Sequence, residues 1–296
     1  MSAGASRAVR IDAHQHFWKL ERGDYRWLTP GLAPLYRDFG PGDLEPHLRD
    51  AQVDASVLVQ AADSVAETEF LLATARDVEW LAGVVGWVDL EHPAASSELE
   101  RLSRAPKFVG VRPMLQDLED PRWVLHPRVV EALRSSAQLG VRFDALVRPE
   151  QLAALCELRA RVPELWIVID HAAKPRLAEG ESWSGVEAWR AQLRELAMHP
   201  RTFCKVSGLI TECGPDWPVS LLENQFEFLR ATFGAERLMW GSDWPVLELR
   251  ASYSRWRNIS DELTRAWNPS ERDDFFGATA ARFYGLRVHH RVGHGR

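Results

Sequence analysis

Apolar and polar positions fall in blocks along this chain rather than alternating residue by residue. Eight short runs are almost continuously apolar: Val9–His14, Ala55–Ala61, Leu81–Val88, Phe108–Arg112, Val141–Val147, Leu165–Asp170, Thr202–Val206 and Arg237–Gly241. Ser56-Val57-Leu58-Val59-Gln60 and Trp166-Ile167-Val168-Ile169-Asp170 are typical. Such runs mark parallel strands buried on both faces. Helical patterns fill the gaps. One begins at Asp43, read as a cap, and continues to Leu48; another covers Glu67–Asp77. Pro127–Leu139 opens on proline and stops at Gly140, and Pro149–Arg161 ends before Pro163. Glu187–Met198 and Val219–Phe233 follow, and a last helix starts near Ser270 and runs into Ala280–Phe283.

Eight β-then-α units predict an α/β chain folded as one (β/α)8 TIM barrel over residues 10–286. Residues 1–9 and 287–296 are expected to be flexible ends. A doubly wound open sheet is the competing architecture, but no strand runs into a glycine-rich phosphate loop. Leu20–Gly42, rich in Trp, Tyr and Pro, reads as a long first loop over the barrel mouth.

Charge and composition narrow the function. The net charge is −6 and no basic stripe is present, so a nucleic acid partner is not expected. The three cysteines, Cys156, Cys204 and Cys213, form no CxxC pair, which predicts reduced thiols and a cytoplasmic protein. No leader-like apolar run occurs in Met1–Arg10, and no apolar stretch is long enough to predict a membrane span. The closing segment carries His289, His290 and His294, read as a frayed tail. Several of the 13 tryptophans, among them Trp18, Trp87 and Trp244, sit beside polar residues. They would suit either core packing or stacking on a sugar-like ligand.

Barrel enzymes place their chemistry at the C-terminal ends of the strands. Read there, the chain supplies His14 and His16, Gln60, Trp87 with Asp89, Arg112, Asp144, Asp170-His171 with Lys174, Lys205 with Ser207, and Asp243-Trp244. Each has a plain structural alternative: capping, core hydrogen bonding or a buried ion pair. Their recurrence at apolar strand ends favours a site. An Asp at the last strand can take a proton from water. Histidines from the first and sixth strands can hold a metal or polarise a carbonyl. Arg112 and Lys205 would bind an anionic or hydroxyl-rich substrate. No Gly-x-Ser-x-Gly elbow is present, and Cys204 is a weak candidate nucleophile.

The runs Ile11-Asp12-Ala13-His14-Gln15-His16-Phe17-Trp18, Gly83–Leu90, Gly110-Val111-Arg112-Pro113, Val168-Ile169-Asp170-His171, Cys204–Leu209 and Gly241-Ser242-Asp243-Trp244-Pro245 carry a resemblance. Taken together, the chain resembles the amidohydrolase superfamily, and within it the sugar-lactonase branch. The resemblance implies hydrolysis of a small lactone, a sugar-acid 1,4-lactone first of all. Asp243 would activate water. His14, His16 and His171 would polarise the carbonyl or, with Asp243, hold one divalent ion, zinc or manganese. Metal-free catalysis is also compatible with it. Arg112, Lys205, Gln60, Trp87, Asp144, Lys174 and Trp244 would surround the substrate. With Lys205 where binuclear relatives carry a histidine, a two-metal centre is not expected. Two other readings stay open: a metal-dependent decarboxylase on the same scaffold, and a non-catalytic barrel that binds a sugar acid. A monomer and a homodimer are both compatible with the sequence.

Overall fold

Parallel strands β1 (Ile11–Gln15), β2 (Ala55–Val59), β3 (Leu81–Gly86), β4 (Phe108–Val111), β5 (Arg142–Ala145), β6 (Ile167–Ile169), β7 (Thr202–Val206) and β8 (Leu238–Trp240) pair in sequence order. The computed structural model describes residues 7–288 and His290. The sheet closes where β1 meets the segment after β8: His16 N–H donates to Trp244 O at 2.8 Å and Asp243 N–H to His14 O at 2.8 Å. All eight predicted strands are present within a few residues of their expected bounds, and the result is the expected (β/α)8 barrel.

The helices on the outside are α1 (Pro41–Asp50), α2 (Val65–Arg76), α3 (Ala95–Ser103), α4 (Pro127–Leu139), α5 (Leu152–Arg161), α6 (Val186–Ala197), α7 (Val219–Phe233) and α8 (Tyr253–Leu263), followed by α9 (Pro269–Asp273) and α10 (Thr279–Tyr284). Asp43 is not the residue before α1; it sits in the first turn, and its carboxylate accepts from Gly40 N–H at 3.0 Å. That satisfies a donor at the helix start from inside the helix. Pro149–Gln151 forms a separate 3-10 turn ahead of α5. No sequence expectation covered α3 or α8.

Two apolar cores result from strand alternation. Leu58, Phe143, Ile169, Val206 and Trp240 face outward into the layer between strands and helices. Val57, Val59, Val168, Phe203 and Met239 face into the barrel, where Phe283 and Tyr284 of α10 close the floor. The pairing of β1 with β2 slips between Asp12 and Gln15. Ala13 therefore packs in the inner core while His14 and His16 rise above it to the mouth.

The Leu20–Gly42 segment is tied down by its own aromatics. Trp18 packs edge-on against Trp27 and Phe39, Trp27 Nε1 donates to Ala61 O at 2.8 Å, and Tyr25 OH donates to Glu67 Oε2 at 2.8 Å. At the chain ends, Arg7 binds both carboxylate oxygens of Asp54, and His290 Nδ1 lies 3.6 Å from Asp54 Oδ1. His289, His294 and residues 1–6 lie outside the described residues. Among the described residues no helix is long and apolar enough to cross a membrane. The three cysteines are unpaired, and no thiol stands at the centre of the mouth.

Candidate active site

Four side chains from three strand ends meet at the mouth. His14 Nε2 lies 3.1 Å from His16 Nε2, and these atoms are 3.6 and 3.3 Å from Asp243 Oδ1. His171 Nε2 completes the group at 3.9 Å from the same oxygen. All four are buried. His16 Nδ1 is 2.8 Å from Val59 O. A carbonyl only accepts, so this ring carries its proton on Nδ1 and presents a bare Nε2 to the site. His171 Nδ1 is held at 2.9 Å by Ser207 Oγ.

The backbone that delivers His171 is unusual. His171, Ala172, Ala173 and Lys174 all adopt positive φ, between 49° and 59°. Left-handed backbone at non-glycine residues costs roughly 1–2 kcal/mol each. Burial of both alanines and a hydrogen bond from Trp189 Nε1 to Ala172 O at 2.9 Å offset that cost. Asp243 shares the same backbone region, with φ of 59°. Gly208, also at positive φ, packs beneath them. A Cβ there would lie 2.5 Å from His171 Nδ1 and 3.2 Å from Asp243 Oδ2, so no other residue fits without moving both.

Burial favours neutral forms, and it lowers the pKa of all three imidazoles, that of His171 to about 4. For His14 the neighbouring Lys205 ammonium adds to the effect. Burial alone would raise Asp243, but the facing imidazoles, His171 first, hold its carboxyl below the usual range. At neutral pH the mouth therefore presents one carboxylate among uncharged imidazoles.

A charged layer lies directly below. Lys205, fully buried, donates to Asp144 Oδ2 at 2.6 Å and to His14 Nδ1 at 3.0 Å, and it pairs with Asp170 Oδ1 at 3.0 Å. Tyr284 OH donates to Asp144 Oδ2 at 2.7 Å. Lys205 and Asp144 were expected at the substrate. The structure instead sets them beneath the imidazoles, because each lies inward and one level too deep on its strand. Arg112 and Gln60 tie β2 to β4: Arg112 Nη2 donates to Gln60 O, and Gln60 Nε2 donates to Arg112 O. Arg112 Nη1 also lies 3.6 Å from Asp170 Oδ2.

Trp244 is fully buried between Phe17 and Phe39, with its indole N–H donated to Glu248 at 2.8 Å, so it is a packing residue rather than a stacking platform. Trp87 stays half-buried after β3, its backbone N–H bonded to Thr68 Oγ1 at 2.7 Å. Lys174, half-buried at the rim, lies 3.7 Å from Glu212 Oε1. Glu212 is not among the site residues expected from the sequence. Its place in the loop after β7 was the available signal, and its carboxyl is raised by burial and by the Asp243 charge.

The donor set fits one divalent ion. Ligands at about 2.0–2.1 Å around tetrahedral zinc stand about 3.3 Å apart. The His14, His16 and Asp243 atoms lie 3.1–3.6 Å apart. A second possible group, His14, Asp170 and His171, shares His14 with the first.

A (β/α)8 barrel that gathers imidazoles and a last-strand carboxylate at its mouth defines a class of barrel enzymes. The family profile described as Amidohydrolase matches residues 11–286, and the chain belongs to that family. It is 44% identical over 279 residues to L-fucono-1,5-lactonase of Burkholderia ambifaria, covering 93% of this chain and 95% of that protein. To L-fucono-1,5-lactonase of Burkholderia multivorans it is 38% identical over 291 residues, covering 94% and 97%. A crystal structure of an amidohydrolase from Burkholderia multivorans with zinc bound superposes with a TM-score of 0.89 at 37% identity, covering 95% of this chain and 100% of that one.

Proposed function

We propose that the protein hydrolyses the internal ester of a sugar-acid lactone. The observation that carries this reading is the Asp243 carboxyl group facing His14, His16 and His171 at the barrel mouth. The relatives at 44% and 38% identity, named for L-fucono-1,5-lactone, support the substrate class. They favour a six-membered lactone ring over the 1,4-lactone that the resemblance first implied.

Asp243 takes a proton from water as the water oxygen attacks the lactone carbonyl. An imidazole N–H stabilises the oxyanion of the tetrahedral intermediate; His16, whose Nε2 is bare, is not that donor. The ring C–O bond then breaks, and the leaving alkoxide receives the proton held on Asp243. The acid product ionises and releases one proton to solvent. Arg112, with Lys174 at the rim, supplies positive charge for the substrate's oxygens. Where an ion is bound, His14, His16 and Asp243 would hold it, with His171 nearby, and it would act as a Lewis acid on the carbonyl. The zinc-bound Burkholderia multivorans structure favours zinc over manganese. The unpaired cysteines favour a cytoplasmic location. The test is a pH-indicator assay over a panel of aldonic-acid lactones, with Asp243→Asn as the control.

A further inference from the structure

Lys205 is fully buried and surrounded by three acceptors: Asp144 Oδ2 at 2.6 Å, Asp170 Oδ1 at 3.0 Å and His14 Nδ1 at 3.0 Å. An ammonium has donors and no lone pair. His14 Nδ1 must therefore accept, which moves the ring proton to Nε2. The competing arrangement would have Nδ1–H donate to Asp170 Oδ1, but that contact is 3.5 Å, longer and weaker than the one to Lys205. His16 is held in the opposite state, since Val59 O takes its Nδ1–H. The two facing nitrogens, 3.1 Å apart, are then one donor and one acceptor, and the contact is a good hydrogen bond.

We propose that Lys205 is a positioning residue that fixes His14 as the Nε2–H tautomer, a hydrogen-bond donor to His16 Nε2 at the mouth. Asp144 and Tyr284 keep the ammonium in place from below. The catalytic part of this inference rests on the lactonase reading, in which that N–H, given to His16 Nε2 in the free site, is shared with the developing oxyanion. The tautomer itself does not depend on it. An ion bound at His14 Nε2 would have to displace this proton, so Lys205 also makes His14 the least ready of the ligands.

The test is long-range ¹H–¹⁵N correlation spectroscopy of the imidazole nitrogens in metal-free protein. His14 should show a protonated Nε2 and a bare Nδ1. Asp170→Asn, which leaves Lys205 in place, should keep that pattern. Lys205→Met combined with Asp144→Asn removes one charge of each sign and should move the proton to Nδ1. With lactone, the double variant should lose at least tenfold in kcat with little change in KM. A protonated Nδ1 at His14 in the wild type overturns the proposal, and so does a change of tautomer in Asp170→Asn. Those spectra decide it even if the double variant does not fold. A protein with the expected tautomer that turns over no lactone would count against the substrate reading and leave the role of Lys205 standing.

Discussion

Asp243 Oδ1 lies 3.3 Å from His16 Nε2, although 227 positions separate the two residues in sequence. His16 offers a bare nitrogen there because Val59 O holds the proton on its other side. This pair is the part of the site best suited to a metal. Wild-type protein equilibrated with zinc and assayed for bound metal should retain one ion per chain. His16→Ala should retain less, and its kcat/KM should fall about 10²-fold or more. Two tightly held ions per chain would contradict the mononuclear account.

Gly208 and His171 are in a close-packed relationship. Gly208→Ala puts a methyl group 2.5 Å from His171 Nδ1 at a backbone position with φ of 62°. The expected outcome is a kcat loss of about 10²-fold, reflecting the displaced imidazole and carboxylate, with a measurable drop in Tm. Near-normal kcat in a folded Gly208→Ala would mean that His171 need not hold its observed position.

Glu67 anchors the Leu20–Gly42 loop through Tyr25, and burial raises its pKa from 4.5 to about 7. Between those values the folded protein holds a proton that the unfolded chain has released. Glu67 therefore contributes stability that is full below about pH 4.5 and lost as pH rises through 7. The upper limit of this effect is about 3 kcal/mol. Glu67→Gln should remove it. In thermal unfolding from pH 5 to pH 8, wild type should lose ground steadily relative to Glu67→Gln. A pH-independent difference between the two would refute the assignment.

Strand identity was legible because β1–β8 are buried on both faces and so read as unbroken apolar runs. The rim is legible at the strand ends, where His14, His16, His171 and Asp243 stand. Depth was not legible. Lys205 follows Phe203 and Asp144 follows Arg142 with ordinary inward alternation, but strand tilt and stagger decide which level each reaches. That is why both lie beneath the site. Two helices were also hidden. α3 begins after Ala94 with no side-chain cap. α8 has a cap in Ser252, but it shows only a thin stripe of Tyr253, Trp256 and Ile259 among polar residues. The left-handed turn at His171–Lys174 carries no glycine to announce it; buried alanines and Trp189 hold it.

The most direct measurement is proton release on opening of L-fucono-1,5-lactone, followed with a pH indicator for wild type and Asp243→Asn, with binding measured in parallel by calorimetry using the ring-opened acid. The account predicts one proton released per lactone by the wild type. It predicts that Asp243→Asn slows turnover at least 10³-fold while the product still binds. Undiminished turnover in Asp243→Asn, or binding by wild type without hydrolysis of any lactone in the panel, would contradict it.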